Sequence, residues 1–464
     1  MEGSTTPLHI AMYPWFAFGH ITPYLHLANK LAQKGHKISF FIPTKTQSKI
    51  NHLNRSPHLL TFYPITVPHV DGLPSGAETT NDVPSSLIPL IMTAMDSTQN
   101  DIELLLLHLK PHLVFYDLVY WIPNLTRRLG LKSLHFSVVS AVSTAFSSAP
   151  AKYLSLKGRE LSESDIMKPP PGFPDSSINL HLHEARGSLK RRDMKFGGDV
   201  VFCDRWFMSL TECDALGFKA CRELDGPFVD YLETEFGKPL LLSGPLIPEP
   251  SISSLDPKWV DFLGGFKPGS VIYCAFGSEV ILEKDQFQEL LLGLELSGHP
   301  FLAALRPPSG ADSLAIEEAL PDGFEERVGG RGVVHGGWIQ QPQILEHPSV
   351  GCSVTHCGSG TIFEILVNQC QIVMIPNCGD QILNARLMGN NLKVGVEVEK
   401  GEEDGLFTKE SVCKAISTVM EQGNEVGKEV RSNRAKLREL LLSKDMESSY
   451  IDDFIHKLQA LVLR

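Results

Sequence analysis

Two sets of residues in this 464-residue chain have types and spacings that could do chemistry. One is the pair His20 and Asp117. Each follows an apolar run that reads as a strand, Leu8–Tyr13 before the histidine and His112–Tyr116 before the aspartate. Both therefore stand near the C-terminal end of a strand, where α/β sheets present functional groups. An imidazole with a pKa near ~6.5 can take a proton from a hydroxyl at neutral pH. A carboxylate behind it fixes the tautomer and stabilises the imidazolium. A lone histidine after a glycine is also a common structural residue, so the pair alone leaves both readings open. The other set lies between Trp338 and Gln381. An apolar run, Val350–His356, breaks into His356-Cys357-Gly358-Ser359-Gly360-Thr361 and then into a helix-like segment. Glycines at a helix start let backbone amides approach an anion, and the helix dipole there favours phosphate. Glu364 can accept hydrogen bonds from a ribose diol, and Trp338 offers a flat face to a base. These features point to a nucleotide, although a strand–Gly–Ser–Gly–helix turn is by itself a weak signal.

The elements that must carry these residues alternate between strand and helix. Leu8–Tyr13, a helix opened by Thr22 and Pro23, and Lys37–Ile42 make one βαβ unit. His112–Tyr116, Trp121–Leu129 and Leu131–Phe136 make a second, and residues 145–200 read as loops and short helices. A proline- and serine-rich stretch at 242–257 reads as an extended linker. The alternation then restarts at Val271–Phe276 and runs to Val394–Val398. This predicts two doubly wound α/β domains, 1–241 and 258–440, with ligand bound in the cleft between them. Residues 441–464 carry an amphipathic helix, Ser448–Val462, that packs either on its own domain or back on the first.

Composition narrows the function classes. Charged residues make up 21% and apolar residues 42%, as in globular proteins, and the net charge is −12. An acidic chain of this kind is not built to coat nucleic acid or an anionic membrane. No apolar run reaches membrane-span length and Met1-Glu2-Gly3 does not open a signal peptide, so a cytoplasmic, monomeric protein is expected. The nine cysteines include no C-x-x-C pair and are expected to be free thiols. That spacing also argues against a metal at His347, Cys352, His356, Cys357 and Cys378. There is no P-loop, no full G-x-G-x-x-G and no G-x-S-x-G elbow around Ser278 or Ser359.

The segment from Trp338 through His356-Cys357-Gly358 to Gly379-Asp380-Gln381 resembles the signature box of plant secondary-product UDP-glycosyltransferases, inverting family 1 enzymes of the GT-B fold. The resemblance extends to the Phe18-Gly19-His20 segment, to Phe115-Tyr116-Asp117 and to the Gly244-Pro245-Leu246 linker. It implies two Rossmann-like domains, the first for an acceptor and the second for a UDP-sugar. It implies that Trp338 stacks on uracil, Gln341 bonds the uridine and Glu364 holds the ribose. His356, Ser278, Thr361 and the Gly358-Ser359-Gly360 turn would meet the diphosphate, while Asp380 and Gln381 would meet the sugar. His20 would be the base and Asp117 its partner, with no metal or bound cofactor. Phe16, Phe18, Tyr120 and Ser137 are candidate walls of the acceptor site.

The usual box reads H-C-G-W-N-S, and this chain has Ser359, Gly360 and Thr361 in its last three places. That variant is similar to the branch-forming subgroup, which adds a sugar to the sugar of a flavonoid, anthocyanin or terpenoid glycoside. UDP-glucose is the favoured donor because Gln381 closes the box, with UDP-rhamnose and UDP-xylose as alternatives. The competing readings are a first-sugar transferase acting on a free aglycone, and a non-catalytic nucleotide-sugar or small-molecule binding protein.

Overall fold

A computed structural model describes residues 6–247, 254–277, 280–308 and 316–463. Ser278 and positions 248–253 of the 242–257 stretch lie outside the described residues. The apolar runs form two sheets in which every strand pair is parallel. The first contains β1 His9–Tyr13, β2 Lys37–Pro43, β3 Leu60–Ile65, β4 Leu113–Tyr116, β5 Lys132–Ser137, β6 Ala215–Phe218 and β7 Leu240–Leu242. The second contains β8 Val271–Ala275, β9 Phe301–Ala304, β10 Gly332–His335, β11 Val350–Thr355, β12 Gln371–Met374 and β13 Val396–Glu397. Helices cover both faces, so the central strands are buried throughout and read as continuous apolar runs.

The strand orders are 3-2-1-4-5-6-7 and 10-9-8-11-12-13. In the first sheet the winding reverses between β1 and β4, and in the second between β8 and β11. At such a switch point the connections leave in opposite directions and open a crevice at the strands' C-terminal ends. His20 follows β1 and Asp117 follows β4; Gly277 follows β8 and His356 follows β11. One topological rule thus places the chemistry-bearing residues of both sheets.

Three local expectations are corrected. The first helix begins at Phe18, not at Thr22, and Pro23 lies inside it. The His20 and Ile21 amides already donate to the Ala17 carbonyl, each at 2.9 Å. The helix tolerates the bond that Pro23 cannot make because Ile21, Tyr24, Leu25, Ala28 and Leu31 bury its apolar stripe. His20 therefore sits in the first helical turn and not in a preceding loop. The helix after β11 begins at Ser359, two residues before the expected Thr361. Residues 145–200 hold a longer helix than expected, Leu182–Arg192, which lies against the second unit.

The helix Met446–Val462 returns to the first sheet. Phe454 packs edge-on against Phe115 and Phe136, with ring centroids 6.0 and 6.1 Å away. Between the sheets, Arg386 makes a two-pronged ion pair with Glu184, at 2.8 and 3.0 Å, with both side chains buried. The nine cysteines are free thiols. No helix among the described residues is long and apolar enough to cross a membrane.

Candidate active site

The site begins with Asp117, which is 2% exposed. Its Oδ1 accepts hydrogen bonds from the backbone amides of Trp15 at 2.9 Å and Leu118 at 2.6 Å. Its Oδ2 lies 2.7 Å from His20 Nδ1. A carboxylate held by two amides can only accept, so the proton on His20 sits on Nδ1 and Nε2 carries the lone pair. Asp117 is closed in while His20 is partly open, and both line one cavity of about 330 Å3. That arrangement suits proton abstraction from a hydroxyl in the cavity.

The cavity is formed by both units. Ser137, Val138 and Ser143 line it from the first, and Cys378, Gly379, Asp380, Gln381 and Leu383 from the second. Its lining mixes apolar groups, Phe146, Ile166, Leu180, Phe196, Phe202 and Trp206, with the charged Lys152, Arg191 and Arg192. Of the four candidate acceptor residues, only Ser137 reaches it. Phe16 is fully buried against Tyr13, edge-on with centroids 5.7 Å apart. Phe18 lies on the core beneath Lys49, and Tyr120 stacks under Arg205, with the guanidinium 4.7 Å from the ring. Phe16 is thus part of the core, and the half-buried Phe18 and Tyr120 pack against it and not into the cavity.

Asp380 and Gln381 open the helix Asp380–Arg386 at the cavity wall. Burial pushes the Asp380 carboxyl above its usual range, while His20, the Asn384 amide and Arg191 pull it back. The Gln381 Oε1 accepts from the Asn377 and Cys378 amides at 3.1 and 3.2 Å, so it fixes its own loop. Gly379 has φ +62° and a Cβ there would lie 3.1 Å from Arg191 Nη1. The backbone requires glycine at that position, and a side chain there would also push the tip of Arg191 aside.

Beyond the cavity lies the turn after β11. Cys357 has φ +67°, a strained value for a side-chain-bearing residue, and its carbonyl accepts from Asn384 Nδ2 at 2.9 Å. The helix Ser359–Leu366 follows with Gly358 as its N-cap and no side chain on its first amides. The amides of Ser359, Gly360 and Thr361 thus point out of the helix without intrahelical acceptors. His356 stands beside them, and a Cβ on Gly277 or Gly358 would come within 3.1 or 2.6 Å of its ring. Burial lowers the His356 pKa to about 4, against a weaker opposing effect of the Ala275 carbonyl, so the ring is neutral near pH 7. Its Nδ1 has no partner among the described residues. The open helix amides at this turn fit an anion such as a diphosphate.

Further along this helix, Glu364 Oε2 accepts from Gln341 Nε2 at 2.6 Å, and Gln341 Oε1 accepts from the buried Tyr273 hydroxyl at 3.1 Å. Burial pushes the Glu364 carboxyl up, and the Gln341 bond and the charge of Lys219 draw it down. Trp338 is 85% exposed, a large flat ring left in solvent at the rim. Sequence reasoning passed over four residues of this region: His135 in the cavity wall, Arg191, Lys219 and Asn384. His135, Arg191 and Lys219 lie far along the chain from the residues they meet, and Asn384, four residues after Asp380, links it to Cys357 and to Ser140 of the other unit, which no local pattern marks.

A family model described as UDP-glucoronosyl and UDP-glucosyl transferase matches residues 313–434. The chain is 63% identical over 454 residues to the cyanidin 3-O-galactoside 2''-O-xylosyltransferase of Actinidia chinensis var. chinensis, covering 98% of each. It is 55% identical over 462 residues to the anthocyanidin 3-O-glucoside 2''-O-glucosyltransferase of Ipomoea nil, covering 100% of each. An Arabidopsis thaliana anthocyanidin 3-O-glucoside 2'''-O-xylosyltransferase is 48% identical over 465 residues, covering 99% of this chain and 98% of that one. The fold matches the crystal structure of a UDP-glucosyltransferase from Polygonum tinctorium at TM-score 0.77 and 23% identity, over 99% of this chain and 100% of that one. With two parallel doubly wound sheets facing across a shared cavity and full-length identity to these enzymes, the chain belongs to the plant family 1 UDP-glycosyltransferases of the GT-B fold.

Proposed function

We propose that this UDP-glycosyltransferase adds a sugar to a sugar hydroxyl of a flavonoid glycoside of the anthocyanin type, with inversion at the anomeric carbon. In this reading, His20 Nε2 takes the proton of the acceptor hydroxyl as its oxygen attacks that carbon. Asp117 holds the ring and balances its charge, and UDP departs. The first unit, to about residue 241, takes the acceptor. The second, 258–440, takes the donor through Trp338, Gln341 and Glu364 on the uridine side. His356 and the Gly358–Thr361 turn face the diphosphate, and Asp380 and Gln381 face the sugar. Backbone dipoles aimed at the developing charge are worth most in a water-poor site.

The observation that carries this reading is the His20–Asp117 pair at 2.7 Å, sharing a cavity with Asp380 and Gln381 of the opposite unit. A sugar hydroxyl is a poor acid and depends on a base oriented in this way. The mixed lining of the cavity also supports a glycoside. Polar groups such as His20, Ser143 and Asp380 suit a sugar ring, and rings such as Phe146, Phe202 and Trp206 suit a flat aglycone. Relatives named for xylosyl and glucosyl transfer make UDP-xylose and UDP-glucose the donors to test first. The deciding experiment crosses UDP-glucose, UDP-xylose and UDP-rhamnose with cyanidin 3-O-glycosides and free cyanidin and reads products by mass. A higher kcat/KM for the glycoside supports the proposal. A clear preference for the aglycone moves the enzyme to the first-sugar class.

A further inference from the structure

We propose that Lys219, carried by the acceptor-side unit, binds a phosphate of the nucleoside diphosphate across the cleft. Lys219 directly follows β6, and its amide donates to the Ser137 carbonyl at 3.0 Å, beside the cavity. Its side chain leaves its own unit and reaches the helix that begins at Ser359, with Nζ 4.9 Å from the centre of the Phe363 ring. The residue is only 4% exposed. Among the described residues its ammonium has no hydrogen-bond acceptor and no carboxylate in bonding range, and only the more distant charge of Glu364 favours it. An ammonium in so buried a place, held by one aromatic face and no hydrogen-bond acceptor, is costly, and its donors are open to an added acceptor.

The surroundings indicate what that acceptor is. Phe363 and Glu364 lie on the helix whose first amides face the proposed diphosphate, and five residues of helix span only about 7–8 Å. His356, on the other side of that turn, is neutral and supplies no positive charge. Cleavage of the bond to the sugar leaves additional negative charge on the departing diphosphate. Lys219 meets this same helix at Phe363 and brings the formal charge that the amides and His356 lack. Because the lysine belongs to the acceptor-side unit, binding the nucleotide would also draw the two units together. This inference rests on the proposed nucleotide position at Gly358–Thr361 and Glu364.

Two measurements on the full chain test it. Calorimetric titration of UDP and of uridine compares wild type, Lys219→Met and Glu364→Ala. Lys219→Met is expected to weaken UDP roughly tenfold to a hundredfold, as for a lost charge-assisted bond, and to leave uridine within about twofold. Weakening by Glu364→Ala alone overturns the inference and leaves the nucleotide position standing. Weakening by neither overturns both. An equal loss of uridine by Lys219→Met also counts against the phosphate assignment. The second measurement is the melting temperature without ligand. An unpartnered buried charge lowers stability, so Lys219→Met should melt above wild type, while its stabilisation by saturating UDP should be smaller. A lysine that merely braces Phe363 would give the opposite sign. A variant that fails to fold is therefore evidence against the proposal, and Lys219→Gln repeats the titration with a polar side chain of similar length.

Discussion

Ser140 Oγ donates a 2.6 Å hydrogen bond across the cleft to Asn384 Oδ1. The same Asn384 side chain donates from Nδ2 to the carbonyl of the strained Cys357 at 2.9 Å and to Asp380 Oδ2 at 3.3 Å. One amide thus joins the acceptor-side loop, the turn before the proposed diphosphate helix and the carboxylate at the proposed sugar position. Asn384→Ala leaves the buried Cys357 carbonyl without that partner, a loss worth about 1–3 kcal/mol. It should weaken UDP binding and lower kcat. Ser140→Ala removes only the link across the cleft. It is expected to raise the KM for the acceptor while UDP affinity, measured by calorimetry, stays near wild type.

His20→Ala should abolish transfer and leave UDP binding intact, because His20 and the proposed uridine contacts lie on different sheets. A general base is worth roughly 10²–10⁴-fold in rate. Single-turnover assays beside UDP titration separate the two effects. Asp117→Asn keeps the shape of the pair but removes its negative charge, and it should lower kcat without changing the affinity for UDP. If both a glycoside and its aglycone react, the loss should be larger for the glycoside, whose hydroxyl is the weaker acid.

Glu364→Ala should weaken UDP binding by about 1.5–3 kcal/mol, the value of hydrogen bonds to a charged group. Gln341 shares this carboxylate at 2.6 Å, so Gln341→Ala and the double variant should be non-additive. Equal UDP affinity in Glu364→Ala and wild type rejects the ribose role.

Asp225 gives a pH-dependent test of stability. It is 4% exposed in the helix Arg222–Phe236, and burial raises its pKa to about 7, against a weaker opposing effect of the Cys221 amide. The folded pKa lies above the unfolded value of ~3.9, so the native state binds more protons between those two values. The stability contributed by the protonated carboxyl is fully present below pH ~4 and is lost as pH rises through 7. Asp225→Asn can still accept from the Cys221 amide. It should leave stability near wild type at pH 4 and raise it progressively up to pH 8, by an amount on the order of a few kcal/mol, read as a pH-dependent rise in melting temperature. A gain that does not change with pH rejects the assignment.

The sequence by itself determined the elements and the switch-point ends. Apolar runs such as His112–Tyr116 and Val350–His356 are legible because a parallel strand buried on both faces must be apolar along its whole length. Asp117 and the Gly358–Thr361 turn were legible for the same reason, since each stands at the end of such a run, whereas His20 comes seven residues after Tyr13 in the first helical turn. The start of the first helix was misplaced because Thr22-Pro23 is a good local signal, and burial of the apolar stripe outweighed it. The tertiary structure decided which aromatics face the cavity. Phe16, Phe18 and Tyr120 are near His20 or Asp117 in sequence, yet they pack in or against the core, while Phe146 and Trp206 arrive from distant helices. It also decided the links between the units. Ser140 and Asn384 are 244 positions apart and Glu184 and Arg386 are 202 apart. Hydrogen bonds and ion pairs over such separations have no period and no local propensity, so only the packing of one sheet against the other brings them together.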